Sequence, residues 1–287
     1  MAAELMLIRC CLARYFKRKP TLIKEKVKRV LLKYYEILSK QREPYRYIHL
    51  LTHPRSGSTL LSHILISHPD ITGFGESKLV YTRPEDLKRL PILLALQLRK
   101  FPFLGGERYA FDKLVHNQLM AVENVGNIYH RNDCIIFLLR EPISTLNSMS
   151  RLDWVVKKEN PKAYVVKWYI ERIKVMQTYC GQLKKSPSKQ MAVLTFDQII
   201  DDTKKVFEML EAFLKLKHPL SEEYKIFRTT GRWGTGDASS FIKSGKIIRH
   251  REQKKPLLVN FDDQLDRINK VYQDCYRELT AHCLSIE

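Results

Sequence analysis

Apolar residues along this chain gather into three short runs, each followed by a segment in which they recur at helical spacing. The first run is "YIHLLT", Tyr47 to Thr52, rich in β-formers; "STLLSHILISHP" behind it has the i, i+3, i+4 pattern of a helix that must end before Pro69. The second, "CIIFLLR" from Cys134 to Arg140, leads into the helical "ISTLNSMSRL". The third, "QMAVLTF" from Gln190 to Phe196, leads into "TKKVFEMLEAFLKL". Buried strands separated by helices imply an α/β fold: a three-layer parallel sheet flanked by helices.

Ahead of the first strand the pattern changes. "LIKEKVKRVLLKYYEILSK" sets Lys and Arg at mixed spacing among Leu, Ile, Val and Tyr, which predicts a basic amphipathic helix. Such a helix docks on a membrane surface or partner, or packs on its own domain with one face solvated. Residues 1–46 are expected to be a helical extension packed on the domain formed by 47–287, with peripheral membrane contact through the basic face left open. The leading "MAAELMLIRCCLARYFKRKP" is interrupted by Arg9 and Arg14 and is too short an apolar stretch to span a bilayer.

Composition narrows the partners. With 287 residues and 44% apolar content the chain can bury a substantial core, and 50 Lys and Arg against 31 Asp and Glu give +19. That excess favours anionic ligands: nucleic acid, phosphorylated cofactors or acidic membranes. The six cysteines form no C-x-x-C pair and sit with no His cluster at metal-ligand spacing, so neither a zinc site nor a disulfide scaffold is expected. This reads as a cytoplasmic, reducing location.

The junction "THPRSGSTLL" joins the first strand directly to a helix. The unpaired N–H groups of a first helical turn and the positive dipole end make such a turn an anion site. Gly57 allows close backbone approach, while Arg55, Ser56, Ser58 and Thr59 add a charge and hydroxyl donors. Serines that merely cap the helix would give the same local sequence. A nucleotide triphosphatase would show G-x-x-x-x-G-K-[ST]; here no Lys precedes Ser58 and Thr59, and "FLLR" ends in Arg140 where a magnesium-binding Asp is expected. The turn suits a phosphate or sulfate held without a metal.

"PRSGSTLL" resembles the 5′-phosphosulfate loop of sulfotransferases that use 3′-phosphoadenosine 5′-phosphosulfate (PAPS). "LLREPISTLNSM" is similar to that family's 3′-phosphate motif, in which a strand-end Arg is followed eight residues later by a Ser, here Arg140 and Ser148. "VLTFDQIIDDTKKVFEMLEAFL" resembles the segment after the third strand that brings an aromatic residue near the adenine, here Phe196. The resemblance spans roughly Tyr47 to Arg251, is nearer the bacterial and carbohydrate-type branches, and implies a P-loop NTPase-like sulfotransferase fold. It departs from the family at three points. Leu60 stands where many cytosolic members place a Trp, no Lys-Thr-His segment supplies a catalytic His, and the C-terminal Arg-Lys-Gly clamp is only echoed by Lys243, Ser244 and Gly245. The implied cofactor residues are Arg55 to Leu60, Arg140, Ser148, Phe196 and Lys243 to Gly245.

In branches lacking the His, the resemblance implies a glutamate after the first helix as the base. Glu76 in "ITGFGESKLVY" takes that place, held among Phe74, Leu79 and Tyr81. "FDKLVHN", Phe111 to Asn117, is a second constellation: read as one helical turn, it sets Asp112, Lys113 and His116 on one cleft. Lys113 would follow the sulfuryl group and His116 is the alternative base.

The expected activity is therefore PAPS-dependent transfer of a sulfuryl group to a hydroxyl or amine, releasing adenosine 3′,5′-bisphosphate, with no metal and no nucleic-acid partner. The apolar "PILLALQLRKFPFLGG", Pro91 to Gly106, would line a pocket or form a lid for a small-molecule, lipid or sugar acceptor, or else a core helix. The rivals are a P-loop-fold small-molecule kinase and a non-enzymatic basic nucleic-acid or membrane-binding protein.

Overall fold

A computed structural model of the chain describes residues 45–98, 106–115, 118–119, 121–130, 132–185, 190–227, 230, 236–237, 239–249 and 261–286, and Val30 of the N-terminal segment. The chain divides into two compact units, Met1–Pro44 and Tyr45–Glu287, and the elements named here belong to the second. The packing expected of the basic N-terminal helix lies outside the described residues.

Strands β1 (Arg46–Thr52), β2 (Ile71–Thr72), β3 (Tyr109–Leu114), β4 (Cys134–Leu139) and β5 (Gln190–Thr195) form one sheet in the order β2-β3-β1-β4-β5. Every pairing is parallel. The fold is α/β with helices on both faces, as the apolar runs imply. On one face Ile48, Leu50, Ile136 and Leu194 pack with Leu61, Ile64 and Leu65 of α1 (Ser58–Ser67) in one continuous apolar core. Helix α2 is Arg89–Leu98, and after β4 come α3 (Pro142–Ser150), the short α4 (Asp153–Val156) and the long α5 (Pro161–Leu183). Two helices follow β5: α6 (Phe196–Asp201) and α7 (Thr203–Leu214), the latter adding Val206, Leu210 and Leu214 to that core. A single-turn helix α8 (Ser240–Lys243) precedes the C-terminal α9 (Leu265–His282), which packs on α5 and β5.

The two neighbours of β1 lie on opposite sides of it, β3 toward β2 and β4 toward β5. In open parallel sheets that reversal opens a crevice at the carboxyl ends of the strands. Among the described residues, no helix is long and apolar enough to cross a membrane.

Two local expectations are corrected. "FDKLVHN" is no helical turn: Tyr109 to Leu114 is a strand paired on both sides, so Asp112 and Lys113 point to opposite faces of the sheet. Both charged residues are buried, and they hide the apolar pattern that marks the other central strands. His116 lies outside the described residues. The third strand stops at Thr195, because the Thr195 hydroxyl accepts from the Gln198 N–H at 3.2 Å while the Gln198 amide oxygen accepts from the Thr195 N–H at 2.8 Å. Phe196 therefore starts a helix. Of the readings open for "PILLALQLRKFPFLGG", residues 91–98 take the helical one, with Pro91, Ile92 and Leu94 of α2 buried; residues 99–105 are outside the described part.

Candidate functional site

The turn between β1 and α1 is built on two left-handed residues, Arg55 at φ 62° and Gly57 at φ 86°. A side-chain-bearing residue in that region is uncommon, and strain of this kind gathers at functional sites. Gly57 has a second reason to lack a side chain, since a Cβ there would sit 2.1 Å from Cδ2 of Phe196. No side chain caps α1 at its first residue. The Leu60 and Leu61 N–H groups donate to the Gly57 carbonyl at 3.0 and 3.4 Å, and Gly57, Ser58, Thr59 and Leu60 line the cleft. Ser56 turns the other way: its hydroxyl is buried and pairs with the Thr52 hydroxyl at 2.5 Å.

Two guanidinium groups meet at this turn. Arg55 donates from Nε to the Ser148 hydroxyl at 2.8 Å, so residues brought from β1 and α3 touch. Arg140, just past β4, donates from Nη1 to the Arg55 carbonyl at 3.1 Å and lies over the Phe196 ring, 4.4 Å from its centroid. Burial lowers the Arg140 guanidinium from its usual value, and Asp197 and Glu141 oppose that shift. Glu141 caps α3, accepting from the N–H groups of Ile143 at 2.9 Å and Ser144 at 2.7 Å. Ser148 is thereby presented two turns along a helix whose start is pinned beside Arg140.

At the β3 side of the cleft Lys113 Nζ stands 3.9 Å from Glu76 Oε2, with side chains only 3% and 8% exposed. Desolvation lowers the Lys113 ammonium from its usual value, opposed by Glu76, Asp112 and Asp237. The loop carrying Glu76 is held by the residue beside Lys113. Asp112 accepts from the Ser77 N–H at 2.7 Å, from the Ser77 hydroxyl, and from the Tyr81 hydroxyl at 2.7 Å. Lys113 donates its own N–H to the Gly75 carbonyl at 3.0 Å. One strand thus sets both members of the Glu76–Lys113 pair.

Lys243 ends α8, and Ser244 and Gly245 form the turn after it, beside the cleft. The Ser244 hydroxyl donates to the Phe241 carbonyl at 2.6 Å and the Gly245 carbonyl accepts from Tyr224 at 2.8 Å. The residues of this segment that line the cleft are Ser239, Phe241, Ile242, Lys246, Ile248 and Arg249.

The cleft joining these groups is about 1400 Å³ and is lined, among the described residues, by seven Lys or Arg against four Asp or Glu. Val80, Val115, Leu152, Trp154 and Trp168 add an apolar wall, the two indoles meeting edge to face at 5.4 Å. Arg172, one turn beyond Trp168 on α5, ties that helix to the sheet, donating to the Thr52 and Leu114 carbonyls at the ends of β1 and β3, each at 2.9 Å. Two further contacts had no motif to announce them. Asp237 donates its N–H to the Thr59 hydroxyl at 3.0 Å, and its carboxylate lies 3.7 Å from the Arg55 guanidinium. Gly236 approaches so closely that a Cβ would lie 2.5 Å from Thr59 Oγ1.

No family model matches the chain, and no curated protein matches it. Among solved structures, mouse sulfotransferase SULT7A1 complexed with PAP is similar over 87% of this chain and 88% of its own, at 13% identity and a TM-score of 0.37.

Proposed function

We propose that the chain is a PAPS-dependent sulfotransferase, moving a sulfuryl group to a hydroxyl or amine of a small-molecule, lipid or sugar acceptor. The observation that carries this reading is the convergence of Arg55, Arg140 and Ser148 on a turn that opens a helix. The donor set fits the cofactor. Arg55 and the first turn of α1 match the 5′-phosphosulfate, while Arg140 and the Ser148 hydroxyl match a second phosphate. Phe196, whose ring lies 4.4 Å from the Arg140 guanidinium, offers an aromatic group beside them. Lys243, Ser244 and Gly245 remain proposed as a clamp that would have to approach from their present turn.

When bound, the phosphosulfate supplies an activated sulfuryl group. Glu76 takes the proton from the acceptor oxygen or nitrogen as that atom bonds to sulfur. Lys113, beside it, neutralises charge on the equatorial oxygens of the transferring group. Arg55 and the Ser58 and Thr59 N–H groups at the start of α1 would hold the phosphate oxygen that keeps the electron pair of the breaking S–O bond. The 3.9 Å separation of Glu76 and Lys113 supports their acting side by side, one as base and one as cation.

Thermal unfolding with added nucleotide tests the reading. Adenosine 3′,5′-bisphosphate at 100 times its Kd should stabilise the protein by about 2.7 kcal/mol, and ATP with magnesium should not. Stabilisation by ATP and magnesium alone would favour phosphoryl transfer instead. Metabolite extracts incubated with the protein and PAPS, screened for the mass gain of one sulfonate, would then identify the acceptor.

A further inference from the structure

The buried histidine that opens the turn takes no part in the transfer step, yet it is bonded to both halves of the anion site. His53 is fully buried, with its ring edge-on to Tyr169 at 5.2 Å between centroids. The backbone N–H of Arg140 donates to its Nε2 at 3.0 Å. Nε2 therefore carries no proton, and the ring is the neutral tautomer with its hydrogen on Nδ1, which lies 3.0 Å from the Pro54 carbonyl it donates to. Pro54 leads into Arg55; Arg140 is the second guanidinium. The Arg140 carbonyl in turn accepts from the Tyr169 hydroxyl at 3.2 Å, and its guanidinium returns to the Arg55 carbonyl at 3.1 Å.

We propose that His53 is a positioning residue that sets Arg140 against the anion turn, and thereby determines how strongly the site prefers a nucleotide bearing a 3′-phosphate. This rests on the cofactor reading above. The position demands a side chain that donates to one carbonyl and accepts from one amide at the same time. Lys and Arg cannot accept, an ionised carboxylate cannot donate, and a Gln amide can do both with a less rigid frame. Burial, together with the charges of Arg172 and Arg140, lowers the imidazole to about 3, so both bonds persist through the working pH range. Removing the ring would leave the Arg140 N–H and the Pro54 carbonyl without these partners and free the strand end that aims the guanidinium.

The test compares adenosine 3′,5′-bisphosphate with adenosine 5′-monophosphate by calorimetry on the full chain, alongside thermal unfolding. The wild type should prefer the bisphosphate by roughly 10- to 100-fold, the scale of charged hydrogen bonds to one phosphate. His53→Ala should cut that ratio by about tenfold, and His53→Gln should restore most of it. A purely structural role would lower the melting temperature and leave the ratio where it was, and that result in a folded variant overturns the proposal. Should His53→Ala not fold, the nitrogen-15 spectrum of the wild-type imidazole decides: a proton on Nε2 is incompatible with the assignment. A wild type that does not distinguish the two nucleotides would instead sink the cofactor reading, which keeps the two failures apart.

Discussion

Arg55 Nε lies 2.8 Å from the hydroxyl of Ser148, a residue 93 positions further along the chain. That contact joins the turn after β1 to the middle of α3, and Arg140 closes the triangle through the Arg55 carbonyl. Arg140→Ala should weaken binding of adenosine 3′,5′-bisphosphate by about 1.5–3 kcal/mol, as expected for a charged hydrogen-bond partner lost from a partly buried site. Calorimetry on the folded variant measures it. An unchanged Kd would detach the strand-end arginine from the site.

Gly57 offers a sharper steric test. Gly57→Ala puts a methyl 2.1 Å from the Phe196 ring at a φ of 86°, so stability should fall by about 1–3 kcal/mol and nucleotide binding with it. Adding Phe196→Ala relieves the clash but not the backbone strain, so it should recover only part of the loss. Urea unfolding of the single and double variants reads this directly. Full tolerance of Gly57→Ala would show that the turn is looser than its contacts imply.

Glu76 and His116 are separable by turnover. If Glu76 takes the acceptor proton, Glu76→Gln should lower kcat by about 10²–10⁴-fold while cofactor affinity barely moves. His116→Ala should cost far less in the same sulfonate-transfer assay. The reverse ranking would move the base to "FDKLVHN" and leave Glu76 as the partner of Lys113 alone.

Asp112 gives a pH signature. Burial raises its carboxyl from the usual carboxylate range to about 6, against the hydrogen bonds from Ser77 and Tyr81. With the folded pKa above the unfolded one, the native state binds more protons between about pH 4 and pH 6. This group's contribution to stability is therefore fully present below pH 4 and lost as pH rises through 6. Asp112→Asn should flatten the stability curve over that window in denaturant titrations, and an unchanged slope would rule Asp112 out as its source.

Strands β1, β4 and β5, and the helices that follow them, were legible from the chain because apolar runs and helical periodicity are local properties. The turn between β1 and α1 is local as well, since Gly57, its flanking hydroxyl residues and Arg55 stand together within one strand-to-helix junction. β3 was not legible: its buried Asp112 and Lys113 break the apolar run, and pairing along β1 makes a strand of it.

What the tertiary structure alone decided is which distant residues share the cleft. Arg55 meets Ser148, Lys113 meets Glu76, and Asp237 reaches Thr59 because parallel crossovers bring the carboxyl ends of separate strands to one edge of the sheet. His53 reads in sequence as one more residue before a proline. Its part in the site appears only when β1 and β4 lie side by side and the Arg140 N–H, at the end of its strand, finds an imidazole nitrogen as its partner. Local patterning determines where strands and helices form, because it acts over a few residues. Hydrogen-bond partners across the sheet are set by the packing of the whole chain.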